Sequence, residues 1–347
     1  MFIRTLLLAA KFLLMSDRAD FWDPDTTSLD TEEMDMIGSK QSLFDFRQFR
    51  KKNILLLVHG FNNSPKDAIA TYHQINNHLN TLQDASGKPL YDVIIGYLWP
   101  GGDSRFDYFS AERNADALSN RVGFHLNALA FFSNRLDILA HSMGNRLILN
   151  GLNLLSLHNQ QEKISISETS AITWSQILLK APLSSKHCFI DALKNRMFRK
   201  NLRQKPIQNL YSLAAAVDNE SIEKNEKYFP ATQQCQNMFV FHSRKDDVLK
   251  YLFLLANRDR ALGFKGPENH DLIAKNIQFI DCSSLIYDHS GYFASEPLYK
   301  FIRNQHTILL LKSEIAPHVT LLETGLIQAL TEKQIEFEKI SLTKGND

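Results

Sequence analysis

The chain has 347 residues, 44% of them hydrophobic and 22% charged, a composition that marks a folded globular protein and excludes a low-complexity or disordered one. Its formal net charge of +1 gives no reason to expect nucleic acid or an anionic surface as the main partner. Cys188, Cys235 and Cys282 are scattered without CxxC or Cys/His metal spacing, so they read as thiols of a reducing, cytoplasmic compartment, with no metal or organic cofactor implied.

The N-terminal stretch to Met15 is apolar but interrupted by Lys11, and Ser16-Asp17-Arg18-Ala19-Asp20 is too charged for a cleavage site. It is too short to span a bilayer and reads as a helix or strand packed on the domain, a targeting segment being the alternative. Phe21 to Gln48 carries turn residues without periodicity, an irregular lead-in. Asn53 to Val58 is a continuous apolar run of the kind that forms a central parallel strand buried on both faces. Ser64, Pro65 and Asp67 then open a helix running to about Leu82 as N-cap, first helical residue and first-turn acid.

The pattern repeats. Tyr91 to Leu98 reads as a strand, Trp99-Pro100-Gly101-Gly102 as a loop, and about Phe109 to Phe132 as one long helix. Leu136 to Ala140 reads as a strand, followed by a helix over 145–158. Ile172 to Ala181, Asn237 to Ser243 and Asn276 to Asp281 are the remaining expected strands. This alternation predicts an α/β fold, a mostly parallel central sheet with helices on both faces. Residues 1–50 form the lead-in packed on the core, 51–300 the α/β domain and 301–347 a C-terminal helical extension. Within the domain, 183–236 is charged and helix-prone, either a cap over a site or a padded helix connection.

The most informative stretch is Ala140-His141-Ser142-Met143-Gly144. A serine at a sharp strand-to-helix turn presents its hydroxyl on a strained backbone, and small residues two positions either side avoid collision across the turn. A helix N-cap would explain Ser142 but not both small neighbours. A serine nucleophile needs a base, and the base needs a third group to hold its tautomer. Both should lie in loops at the carboxyl ends of other strands. Arg244-Lys245-Asp246-Asp247 follows one strand and Tyr287-Asp288-His289-Ser290 the next, so the chain order is Ser142, Asp246, His289. Asp247 is the rival acid. His242, within a strand, and His270, in a Gly-Pro-Glu-Asn-His loop, are the rival bases.

Leu57-Val58-His59-Gly60-Phe61-Asn62, Leu98-Trp99-Pro100 and Ala140 to Arg146 resemble the α/β-hydrolase superfamily. More narrowly they resemble the bacterial esterase/lipase-like family of unknown function with HG[FY]N, SWP and AHSMGN motifs. That family's Ser-x-x-Asp-x-x-Leu segment is matched by Ser243, Asp246 and Leu249, and its histidine segment by His289-Ser290-Gly291-Tyr292. Leu13 to Arg18 matches its opening strand. Where the family often has Ala-Pro-Asp after the strand following the nucleophile, this chain has Ala181-Pro182-Leu183, which leaves Asp246 as the acid.

The backbone N–H groups of Met143, after the nucleophile, and Phe61, after His59-Gly60, are the expected oxyanion donors. His141 and His59 read as structural, His141 pointing away from the crevice. Trp99, Phe106, Tyr108 and Phe109 are candidates for an acyl pocket. The leading expectation is a serine hydrolase cleaving a carboxylic ester, thioester or lipid-like acyl group through an acyl-enzyme. The alternatives are a catalytically silent scaffold used for binding, or an acyltransferase with the same triad. No long, exposed, basic amphipathic helix argues for a lipid surface.

Overall fold

In the computed structural model, which describes residues 9–18, 35–37, 46–84, 87–102, 104–164 and 205–315, the apolar runs become strands of one sheet. Its strands are β1 (Lys11–Ser16), β2 (Asp35–Ile37), β3 (Asn53–Val58), β4 (Val93–Leu98), β5 (Arg135–His141), β6 (Ile207–Leu213), β7 (Cys235–His242) and β8 (Ile277–Asp281). Their spatial order is β2-β1-β4-β3-β5-β6-β7-β8, and every pairing is parallel. All carboxyl ends therefore point to one edge.

β3 and β5 sit at the centre in register, Val58 opposite Ala140, and Ile54 to Val58 are all buried, as a strand covered on both faces requires. Helix α1 (Pro65–Asn80) opens as its sequence predicts: Ser64 Oγ accepts from the Asp67 N–H, with Pro65 in the first turn. The expected long helix is two, α2 (Tyr108–Ala117) and α3 (Ser119–Phe132), because the chain breaks at Leu118, whose N–H caps α2 through Asn114. Helix α4 (Gly144–Ile164) follows β5, and α5 (Glu296–Ile315) closes the described chain. His78 of α1 stacks on Tyr299 of α5 at 4.6 Å, while α3 meets α4 where Gly123 and Gly151 allow close approach. The helices form layers on both faces of the sheet.

The strand beside β5 is a correction. It is Ile207–Leu213, inside the stretch read as a helical insertion; Ile172 to Ala181 lies outside the described residues. Polar Gln208, Asn209 and Ser212 disguise β6 as something other than a buried strand. Asn209 and Ser212 are nonetheless fully buried, and the Asn209 N–H donates to the carboxylate of Asp137 on β5. Asp137 also accepts from Tyr91 and Arg135, so a paired carboxylate pins these strands at the amino end of the sheet. The N-terminal stretch holds a strand, β1, whose Lys11 is an exposed first residue rather than an interruption.

Candidate active site

At the carboxyl end of β5 the chain turns sharply into α4. Ser142 sits at that turn with φ of 53°, a left-handed conformation costly for a residue with a Cβ. The surroundings hold it there. The Ser142 N–H donates to Leu213 O at 3.0 Å, and Ser142 O accepts from the Ala216 N–H at 3.2 Å, so β6 fixes the turn from one side. The buried Asn145 amide reaches the carbonyls of Ala140, Ser142 and Leu213, each at 3.1 Å. Sequence reasoning passed over this residue, although it stands directly after Gly144.

The requirement for small residues has a measurable basis. A Cβ on Gly144 would stand 2.5 Å from His59 O, and one on Gly60 would stand 2.7 Å from Ser142 Cβ. Two loops, after β3 and after β5, thus touch through their backbones. The first loop is braced from behind. His59 Nδ1 donates to Gly60 O at 2.8 Å, its Nε2 accepts from the Trp99 N–H at 3.3 Å, and Trp99 Nε1 donates to His59 O at 2.9 Å. Trp99 is fully buried, so it supports this loop and does not line an acyl pocket. Among the described residues, the N–H groups of Phe61 and Met143 donate to no other group.

The partners arrive from the next two strands. Asp246, after β7, is fully buried, and its Oδ2 lies 2.7 Å from His289 Nδ1. Its other oxygen accepts from the Leu249 N–H at 3.0 Å. Asp247 is exposed and makes no such pair. The two loops are tied again by Ser243 Oγ, which donates to Ile286 O at 2.7 Å. His242 is buried in β7 beside Gly266, and His270 lies against Phe279, so neither rival histidine comes to Asp246.

His141 departs from expectation. It turns toward the His289 loop: its Nε2 donates to His289 O at 2.8 Å, and the two rings lie 4.7 Å apart. Burial, reinforced by the neighbouring His289, lowers its pKa to about 3, so the ring is neutral and its Nε2 keeps the proton it donates. His141 thereby couples the Ser142 turn to the loop carrying His289. Among the described residues Ser142 Oγ makes no hydrogen bond, and such bonds often tighten only with substrate present.

The departure noted at Leu183 loses its bearing. The strand beside β5 is β6, followed by Ala214-Ala215-Ala216-Val217-Asp218. Cys235 and Cys282 are buried, which pushes each thiol up to about 12 and makes them poor nucleophiles. Cys188 lies outside the described residues. Among the described residues no group of three His, Cys, Asp or Glu could hold a metal ion, and no helix is long and apolar enough to cross a membrane. No curated protein matches the chain. Residues 38–305, well over half of it, match one family model, described as alpha/beta hydrolase of unknown function (DUF900).

Proposed function

The chain belongs to the alpha/beta hydrolases of unknown function, and within that family we propose that it is a serine hydrolase cleaving a carboxylic ester or related acyl bond. The observation that carries the reading is the short Asp246–His289 contact, made by a fully buried carboxylate, on a loop that His141, the neighbour of the strained Ser142, holds through the His289 carbonyl. Asp246 accepts from His289 Nδ1–H, which leaves Nε2 with its lone pair free to take a proton.

In this reading Ser142 Oγ attacks the acyl carbon as its proton passes to His289 Nε2. The oxygen that becomes negative meets the unengaged N–H groups of Phe61 and Met143, each such donor being worth about 2.7–4 kcal/mol in the transition state. Collapse breaks the acyl–oxygen bond, and His289 returns the proton to the leaving alcohol. Water, deprotonated by His289, then attacks the acyl-enzyme and releases the acid and the free serine. The buried Asp246 stabilises the charged ring that forms twice in this cycle.

The test is turnover of a panel of p-nitrophenyl esters of increasing chain length, alongside Ser142→Ala. Burst release of p-nitrophenol, with a matching acyl adduct at Ser142 by mass spectrometry, is the expected result. A folded protein giving no burst and no adduct on any ester would overturn the reading.

A further inference from the structure

A backbone N–H cannot turn without the carbonyl of its own peptide. In a trans, planar peptide the N–H points opposite to the C=O of the preceding residue, so whatever holds that oxygen also aims the hydrogen. The Met143 N–H belongs to the Ser142–Met143 peptide and the Phe61 N–H to the Gly60–Phe61 peptide. The partners of Ser142 O and Gly60 O therefore decide where the two expected oxyanion donors point.

Both oxygens are held from behind. Ser142 O accepts from Asn145 N at 3.0 Å, Asn145 Nδ2 at 3.1 Å and Ala216 N at 3.2 Å. Gly60 O accepts from His59 Nδ1 at 2.8 Å and from Asn63 Nδ2 at 3.4 Å. The loops after β3 and β5 thus treat the donor's peptide in the same way. A donor on the carbonyl also polarises the peptide, which strengthens the hydrogen bond its N–H gives by roughly 10–30%.

Stability alone does not account for the Asn145 side chain. Two of the three carbonyls its amide meets have backbone partners of their own. Leu213 O accepts from the Ser142 N–H, and Ser142 O from the Asn145 and Ala216 N–H groups. The Asn145 Oδ1, meanwhile, is buried and has no partner, a destabilising state that an apolar side chain would avoid. What the amide adds at this place is a third donor on the peptide that carries the Met143 N–H.

We propose that Asn145 is a positioning residue of the oxyanion hole, aiming and polarising the Met143 N–H through the Ser142 carbonyl, as His59 does for Phe61 through Gly60. The proposal rests on the hydrolase reading, which supplies the acyl oxygen that these N–H groups meet. The experiment compares Asn145→Ala with Asn150→Ala, which removes another buried amide of α4, one that donates to Asp116. Each is followed by turnover of a p-nitrophenyl ester and by the infrared carbonyl stretch of its acyl-enzyme, read as a carbon-13 difference. Deleting an oxyanion donor outright costs about 10²–10³ in kcat, so weakening and misaiming one should cost about tenfold. Asn145→Ala should show that loss at unchanged KM, with its acyl carbonyl stretching at higher frequency than in the wild type. Asn145→Leu, which keeps the volume, should give the same loss and shift, and Asn150→Ala should match the wild type in both. An acyl carbonyl at the wild-type frequency in the Asn145 variants, or an equal shift in Asn150→Ala, would overturn the proposal alone. So would failure of both Asn145 variants to fold, because the amide would then be holding the fold. A folded wild type that forms no acyl-enzyme would contradict the hydrolase reading and the proposal with it.

Discussion

Replacing Gly60 by alanine tests the contact on which the site is built. The added Cβ would stand 2.7 Å from Ser142 Cβ, 3.2 Å from His141 Nδ1 and 3.3 Å from His141 O. Unstrained carbon contacts fall at about 3.5–4.0 Å, so Ser142 and the loop after β3 must separate by roughly 1 Å. None of the three atoms is the far end of a flexible side chain, and Asn145 and the β6 backbone hold the turn from behind. Overpacking of this kind costs about 1–3 kcal/mol, a drop of about 1–4 °C in Tm for a chain of this size. A nucleophile misplaced by about 1 Å loses on the order of 10²-fold in rate. Gly151→Ala supplies the contrast: its Cβ would meet Val122 Cγ1 at 2.9 Å and Gly123 N at 3.1 Å, between α3 and α4 and away from the site. Both variants should melt early, but only Gly60→Ala should lose most of its rate of labelling by a fluorophosphonate, measured well below either Tm. Gly60→Ala labelling at the wild-type rate, or Gly151→Ala losing as much, would refute the reasoning.

Asp246→Asn should lower ester turnover by about 10⁴-fold, since the amide favours the wrong tautomer of His289, whereas exposed Asp247→Asn should change it less than threefold, read as kcat for the two variants side by side. Histidine burial makes the fold sensitive to acid: His141 has its pKa lowered to about 3, so below about pH 6.5 the unfolded chain binds the proton that the folded chain refuses. Its contribution is complete above that pH and is lost as pH falls toward 3, with His242 and His306 shifted the same way. Melting scans should therefore fall steeply from pH 7 to 4.5, and less steeply in His141→Gln; parallel curves would contradict the assignment. Thiol-reactive reagent added to the native protein should leave Cys235 and Cys282 unmodified until denaturant is present, as peptide mapping would show.

The parts of this fold that were legible in the sequence are those where one physical demand dominates. Uninterrupted apolar runs gave away β3 and β4, because strands covered on both faces tolerate little else. Ala140 and Gly144 around Ser142 were readable because the turn admits only small residues there. β6 was hidden because its burial is satisfied by hydrogen bonding rather than by apolarity: Asn209 is buried on the strength of Asp137 across the strand pair. The split between α2 and α3 carries no proline or glycine at Leu118, so periodicity ran through it. At the site, loop order after successive strands led to Asp246 and His289. The turn of His141 toward the His289 carbonyl depends on two loops 148 residues apart meeting, which no local pattern encodes.

The central claim is that Ser142 is activated by His289, and the most direct measurement is fluorophosphonate labelling with the adduct located by mass spectrometry. The account predicts rapid modification at Ser142 in the wild type, none at that position in Ser142→Ala, and loss of labelling in a folded His289→Ala. A folded wild type that stays unlabelled, or a His289→Ala protein that labels at the wild-type rate, would contradict it.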